Sequence, residues 1–167
     1  MKNPQEALSP LTHLSPGGEA RMVDVSSKAI TVRSAVAKGS ISMSVAAATA
    51  IREGTAAKGE VLQVARIAAI QAAKQTSGLI PLCHVVPLEK VSVGFEWAGE
   101  ERLVCTAEVN AAAKTGVEME ALTAVSVGLL TIYDMLKAVD RGMTIHDIAL
   151  WRKQGGVRGD YQRKGME

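Results

Sequence analysis

The sequence predicts an α+β fold in which an antiparallel sheet carries two main helices on one face. The first observation is the order of the predicted elements, which runs strand, helices, hairpin, helix, strand and is typical of a split βαβ arrangement. The second is composition: of 167 residues, 47% are apolar and only 3% aromatic, so small and aliphatic side chains must fill the core. This length suits one domain of ordinary size.

The chain is expected to open with a flexible arm over residues 1–20, because prolines and the Gly17-Gly18 pair interrupt any regular element there. Folded sequence then begins at about residue 21. Apolar and polar residues alternate loosely over 29–44, which predicts a strand. The alternation slips near Lys38-Gly39, so we expect an irregularity in this strand.

Two helices are predicted next. The alanine-rich segment 45–52 favours a short helix, and an apolar stripe at helical spacing over 60–76 favours a longer one that ends before Gly78. After this helix, Pro81 and Pro87 frame a constrained loop.

Two cleanly alternating runs, 91–97 and 103–109, predict a β-hairpin. The longest helix is predicted over 117–139, with Thr115 as its N-cap and Gly142 as its stop. Acidic residues lie in its first turn and basic residues near its end, as the helix dipole favours.

The last predicted strand covers 145–152, and the Gly155-Gly156 pair begins a basic tail. We therefore expect a single domain over residues 21–160 and a C-terminal tail over 161–167. No internal repeat is found.

Composition excludes several functional classes. The formal charge of +2 is too balanced for a broad nucleic-acid-binding face, and there are too few aromatic residues for base-stacking platforms. Two cysteines cannot form a disulfide framework or, with the spaced histidines, a four-ligand zinc site. The N-terminus lacks the apolar core of a signal peptide, and no apolar run is long enough to span a membrane. We expect a cytoplasmic protein without metal or cofactor.

The helix over 117–139 is apolar on more than one side, although a single open sheet covers only one face. We therefore expect a second subunit to cover the rest. Glu120 and Asp134 lie fourteen residues apart, which corresponds to roughly 21 Å along the axis. Two copies of the helix must then contribute if both ends serve one small-molecule site, as dimer symmetry allows.

Asp134 and Lys137 lie three residues apart on one helix face. Such a pair is most often a surface ion pair, but apolar neighbours here favour partial burial, which would perturb both pKa values for acid–base chemistry. Lys58 precedes a helix start, where it could hold phosphate or simply be solvated. Neither the P-loop nor the dinucleotide-binding glycine motif occurs.

Cys83-His84 lies in the proline-framed loop. A packed cysteine beside a functional or core-satisfied histidine is favoured over a nucleophilic thiol, because adjacent side chains in an extended loop point apart. Glu118 and Glu120 are two residues apart and are expected on nearly opposite sides of the helix, so one of them could serve only helix-start electrostatics.

A family resemblance rests on several of these segments together. They are MVDVS at 22–26, KGEV at 58–61, ARIA at 65–68, LIPLCH at 79–84, KTGVEMEALTA at 114–124, and TIYD at 131–134 with KAV at 137–139. These collinear motifs, from about Gly18 to Asp160, resemble the cyclic pyranopterin monophosphate synthase family of molybdenum cofactor biosynthesis.

The resemblance implies a ferredoxin-like catalytic domain assembled as a homohexamer, a trimer of dimers, with active sites at the dimer interface. It also implies a reaction without cofactor, in which a cyclised dihydro-GTP is rearranged to cyclic pyranopterin monophosphate with release of diphosphate.

By the same resemblance, Asp134 is catalytic, and Lys58 and Lys137 serve acid–base steps or charge stabilisation. Further positions match the substrate-binding residues of the family, and the last four of them are placed around the triphosphate. They are Leu82, Cys83, His84, Glu118, Met119, Glu120, Asp24, Arg33, Lys114 and Lys153.

Two positions depart from the family pattern: Ala113 stands where glycine is usual, and Ala57 where proline is frequent. Both bear on loop shape near Lys114 and Lys58. Two alternatives stay open at this stage, a non-enzymatic oligomeric ferredoxin-like module that binds an anion or nucleotide, and a Cys-His redox or metal protein.

Overall fold

A computed structural model describes residues 17–157 and 159–164. Most of the predicted arm (residues 1–16), including His13, and the end of the predicted tail (165–167) lie outside the described residues. The described elements, in chain order, are β1 (Thr31–Ser42), α1 (Val45–Arg52), α2 (Val61–Lys74), α3 (Thr76–Leu79), β2 (Lys90–Trp97), β3 (Arg102–Ala113), α4 (Glu118–Leu136), β4 (Thr144–Gln154) and β5 (Tyr161–Gln162).

The five strands form one antiparallel sheet in the order β2-β3-β1-β4-β5. Without the short edge strand β5, this is the ferredoxin-like order, in which two crossovers place β1 between β3 and β4. The two main helices, α2 and α4, pack on each other and on the sheet. The α+β, ferredoxin-like prediction is thus confirmed.

The predicted irregularity in β1 is also confirmed, because the pairing with β4 shifts register on either side of Lys38. Gly39 lies at this point, under α4. A Cβ atom there would lie 2.9 Å from side-chain carbons of both Val125 and Ile148. Glycine therefore lets the helix approach the centre of the sheet more closely than any other residue would.

Helix α4 is the core of the domain. Nine of its residues are buried, from Glu120 to Leu136. Gly128 lies against α2, where its position would bring a Cβ atom within 3.3 Å of Ala69 Cβ. The helix is long and apolar enough to span a membrane by length and composition alone, but half of it is buried against the rest of the chain, as in a core helix.

The expected N-cap of α4 was wrong. The cap position is Val117, with no side-chain hydrogen bond, and Thr115 instead lies in a turn that lines a cavity. The helix also ends at Leu136, before the predicted end at 139. Asp140 explains this early end, because its carboxylate accepts backbone hydrogen bonds from Ser44 and Gly142, both at 2.7 Å, and so bends the chain away.

Several other boundaries differ from the predictions. The longer predicted helix ends before Gly78, as expected, since α2 stops at Lys74, but Gly78 itself lies in the short helix α3, where the chain forms one more helical turn after Gln75. Residues Tyr161–Gln162, predicted as tail, pair with β4 at the edge of the sheet. The hairpin strands are longer than predicted, and β3 continues to Ala113, where it leads into the cavity.

Replacing Gly128 with valine is expected to lower the free energy of unfolding by about 1–3 kcal/mol, because the added carbons overpack the contact between α4 and α2. Urea denaturation measures this change. Gly78→Val is the matched control, since a Cβ at Gly78 meets nothing within 4 Å. Equal destabilisation by both variants would contradict the close α2–α4 contact.

Candidate active site

The predicted catalytic side chains form a compact cluster at the C-terminal end of α4. Lys58 Nζ lies 2.7 Å from Asp134 Oδ2, and Lys137 Nζ lies 2.8 Å from Asp134 Oδ1. Lys58 Nζ also donates to the backbone carbonyl of Asp134 at 3.1 Å. Each carboxylate oxygen therefore holds one ammonium group, and the turn before α2 is tied to the end of α4.

The expectation that partial burial perturbs this cluster was wrong. The side chains of Asp134, Lys58 and Lys137 are 55%, 49% and 53% exposed in the single chain. Hydrogen bonds from Lys137 and then Lys58 instead lower the pKa of Asp134 to about 2. Asp134 is therefore an anion at any physiological pH, and its carboxylate holds two cations.

A second group of predicted residues lies at the other end of α4, around a cavity of about 820 Å³. Residues from the proline-framed loop, from β1, from the turn before α4, from the first turn of α4 and from β4 line it. The predicted residues in its wall are Arg33, Leu82, Cys83, His84, Lys114, Glu118, Glu120 and Lys153.

Two predicted substrate-binding residues lie outside this wall. Met119 is 37% exposed on the outer side of α4. Asp24 is also exposed, and its pKa is lowered by hydrogen bonds from the Ser26 side chain and from the Ser26 backbone N–H, which lies 2.8 Å from the Asp24 carboxylate. In the single chain, Asp24 thus shapes the turn beside the cavity instead of lining it.

Arg33 is buried, with only 8% of its surface exposed. Its Nε donates to the Ala113 carbonyl at 3.2 Å across the β1–β3 pair. Burial of a guanidinium group is unusual without an anionic partner. In the described residues no carboxylate forms an ion pair with Arg33, which leaves its terminal nitrogens available to a ligand.

The segment between Val23 and Ser26 forms one wall of the cavity and is held there by two predicted site residues. His84 Nε2 lies 2.7 Å from the Val23 carbonyl, so this ring nitrogen is the donor. Lys114 Nζ donates to the Ser26 carbonyl at 2.7 Å. The histidine is therefore satisfied by the backbone, in line with one of its two predicted roles.

Glu120 is buried in the cavity wall, with 4% of its surface exposed. Burial raises its pKa, and the nearby Glu118 carboxylate adds to this effect. The two glutamates were expected on nearly opposite sides of α4, but both line the cavity. At the open first turn of a helix, the side chains of neighbouring residues can reach the same space.

Cys83 does not have the environment of a nucleophile. Burial and the Glu120 carboxylate raise the pKa of its thiol, which disfavours the reactive thiolate. Within residues 17–157 and 159–164, no group of three or more histidine, cysteine, aspartate or glutamate side chains is placed to hold a metal ion.

Several cavity residues were not singled out from the sequence. Lys28 is an additional cation, Gly116 allows Glu118 to fold back over the turn, and the Gly155-Gly156 pair lies beside Arg33. The glycine pair was visible in the sequence but was interpreted only as the start of a tail. Lys28 carried no distinguishing signal, because it lies in an ordinary turn.

Cations outnumber carboxylates among the residues that line the cavity, where the acidic residues are Glu118 and Glu120. Lys28, Arg33, Lys114 and Lys153 all line it, and the structure shows none of them in an ion pair with a described carboxylate. Such a group of cations fits a polyanionic ligand such as a phosphate chain.

The cluster and the cavity do not meet in one chain. Asp134, Lys58 and Lys137 are absent from the cavity wall, and the length of α4 separates the two groups. One small ligand therefore cannot contact both groups within a single copy of the chain.

Comparison with known proteins identifies related sequences. The profile of the MoaC family matches residues 22–156. The cyclic pyranopterin monophosphate synthase of Rhodopirellula baltica is 52% identical over 91% of this chain and 93% of its own length. The cyclic pyranopterin monophosphate synthase 3 of Mycobacterium bovis is 57% identical over 92% of this chain and 86% of its own length. The cyclic pyranopterin monophosphate synthase of Parvibaculum lavamentivorans is 56% identical over 95% of this chain and 99% of its own length.

The family match over residues 22–156 spans the segments that form both the ion cluster and the cavity, and each of these relatives covers more than nine-tenths of the chain. The chain therefore belongs to the MoaC family.

Proposed function

We propose that the chain is a cyclic pyranopterin monophosphate synthase of molybdenum cofactor biosynthesis. The observation that carries this proposal is the Lys58–Asp134–Lys137 cluster, in a chain 52–57% identical to proteins of that name. A module that only binds an anion would need the cations of the cavity but not a carboxylate held between two lysines 20 Å or so away along α4.

The proposed reaction converts a cyclised dihydro-GTP to cyclic pyranopterin monophosphate and diphosphate. The guanine-derived ring opens and recloses, and a ribose-derived hydroxyl then attacks the α-phosphorus, so the enzyme is a phosphorus–oxygen lyase. No cofactor enters this scheme. The chain's task is to bind the triphosphate, orient the ring system and move protons.

The cavity is suited to the substrate. Its volume of about 820 Å³ lies within the range typical of small-molecule sites. We assign the triphosphate to the cations Arg33, Lys114 and Lys153, and the ring to the opposite wall. There, the Glu118 and Glu120 carboxyls offer hydrogen bonds to ring nitrogens, as does Nδ1 of His84, the nitrogen that the Val23 carbonyl does not occupy. The raised pKa of Glu120 suits a group that exchanges a proton with the ring.

The cluster supplies the proton donors. Asp134 keeps both ammonium groups at 2.7–2.8 Å from its carboxylate oxygens, so their positions are fixed before the substrate arrives. Lys58 and Lys137 then donate protons to the opening ring or balance charge at the α-phosphorus. Asp134 acts as the organising anion, because a carboxylate with a pKa of about 2 is a weak base.

The complete site needs two copies of the chain. The cavity of one copy and the cluster of another would meet at a dimer interface, and the apolar outer side of α4, with Leu130 57% exposed, offers surface for it. We propose a homohexamer, a trimer of dimers, in the cytoplasm, built from a single catalytic domain over residues 21–160. Met119 and Asp24 could then reach the substrate from the interface.

Asp134→Asn is expected to lower kcat roughly 10²- to 10⁴-fold, because the neutral amide cannot hold both ammonium groups for proton transfer. Product formation from the cyclised dihydro-GTP measures this. The control is Asp147→Asn, which removes the carboxylate of another exposed ion pair, with Arg102 at 2.9 Å. Full activity of Asp134→Asn would refute the role of the cluster.

Mixing two inactive variants tests the two-copy site. Asp134→Asn and His84→Ala impair different halves, so mixed dimers regain one intact site each, up to roughly a quarter of wild-type activity. Subunits are exchanged under mild denaturant before assay. If the mixture stays as inactive as its components while exchange is verified by mass spectrometry, both halves belong to one chain.

The Asp134 carboxyl is expected to remain ionised well below the ordinary aspartate range, since its pKa falls from 3.8 to about 2. The stabilisation by the cluster is therefore complete above about pH 3.8 and is lost as the pH falls towards 2. A carboxyl ¹³C NMR titration follows this group, with Asp134→Asn for assignment. A midpoint near 4 would contradict the paired geometry.

A further inference from the structure

The Gly155-Gly156 pair lies directly after β4 and beside the buried Arg33. Register explains the position, because Gln154 pairs with Ser34 and the next residues therefore pass next to Arg33. Both glycines adopt the left-handed region, with φ of +88° and +89°. Residues other than glycine rarely adopt this conformation, because their Cβ atoms come too close to the backbone.

Space is the second requirement for glycine at these positions. A Cβ on Gly156 would overlap Nη1 of Arg33 and lie 3.2 Å from Cζ of the same side chain. A Cβ on Gly155 would overlap the Val32 carbonyl oxygen. The bare backbone of Gly156 thus lies against the guanidinium group, with no room for another atom between them.

The guanidinium group is therefore enclosed from two sides. Its Nε donates to Ala113 O at 3.2 Å, and its terminal end rests on the glycine pair. Arg33 nevertheless lines the cavity, together with both glycines. A planar fork held in this way has lost its rotational freedom before any ligand binds, so little entropy remains to be lost on binding.

We propose that Gly156 is a positioning residue, which together with Gly155 fixes the fork of Arg33 so that it binds a phosphate group of the substrate through two hydrogen bonds. This inference rests on the proposed function only for the identity of the phosphate ligand. Without the glycine pair, the charge would stay in the cavity but the fork would lose its orientation.

Gly156→Ala tests the proposal, because the methyl group displaces the guanidinium. The variant is expected to raise the Kd for GTP and the KM for the cyclised dihydro-GTP at least about tenfold, while kcat changes less than threefold or so. The control is Gly159→Ala. Gly159 also has a positive φ, +67°, in the same turn, but a Cβ there meets nothing within 4 Å. This control carries similar backbone strain without touching Arg33.

Two further measurements separate positioning from stability. Arg33→Lys keeps the positive charge but removes the planar guanidinium group. It is expected to raise the Kd for GTP and the KM for the cyclised dihydro-GTP as much as Gly156→Ala does. In the double variant, Gly156→Ala is expected to add less than about twofold, because both changes remove one interaction. Arg33→Lys also keeps the proposal testable if Gly156→Ala does not fold.

Equal Kd values for GTP in Gly156→Ala and Gly159→Ala would overturn the inference, as would additive effects in the double variant or an unchanged Kd in Arg33→Lys. Isothermal titration with GTP requires no turnover. Failure of the proposed function would appear differently, as a wild-type protein that makes no cyclic product whatever its GTP affinity.

Discussion

Burial of α4 is the constraint on which the rest of the structure depends. A helix of nineteen residues with so few charges must be covered by other elements, and here α2 and the centre of the sheet cover it. Close approach is possible only because small residues face it, including Gly39 on β1 and Ala69 on α2. This explains why a core nearly free of aromatic rings is sufficient.

Helix α4 also separates two groups of charged residues, one at each of its ends. Its N-terminal end carries Glu118 and Glu120, where the positive end of the dipole favours carboxylates, although burial raises the pKa of Glu120. Its C-terminal end carries Asp134 flanked by two lysines, where the negative end of the dipole favours cations. One rigid element thus separates the cavity from the Lys58–Asp134–Lys137 cluster.

Much of this arrangement could be predicted from the sequence. Alternation and helical spacing predicted all the main elements, since period-two and period-3.6 patterns report directly which face is buried. Local patterns could not predict the cap of α4, because the side chain of Thr115 belongs to the cavity, or its early end, because Asp140 bonds to Ser44 nearly a hundred residues earlier. The burial of Arg33 could not be predicted either, since it depends on β3 and the glycine pair at once.

The link between Lys58 and Asp134 came only from the family resemblance. A contact between such distant positions produces no pattern in either segment of the sequence.

The second hydrogen bond of Lys58 acts on the end of α4 itself. By donating to the Asp134 carbonyl at 3.1 Å, this lysine satisfies one of the last four carbonyls of α4, which no further helical turn can reach. The ammonium group of Lys58 therefore takes part in the proposed chemistry and also provides a hydrogen bond at the C-terminal end of α4. Any substitution of Lys58 therefore removes a contact at the end of α4 as well as a group of the proposed site, so the turnover of such a variant has to be compared with its stability.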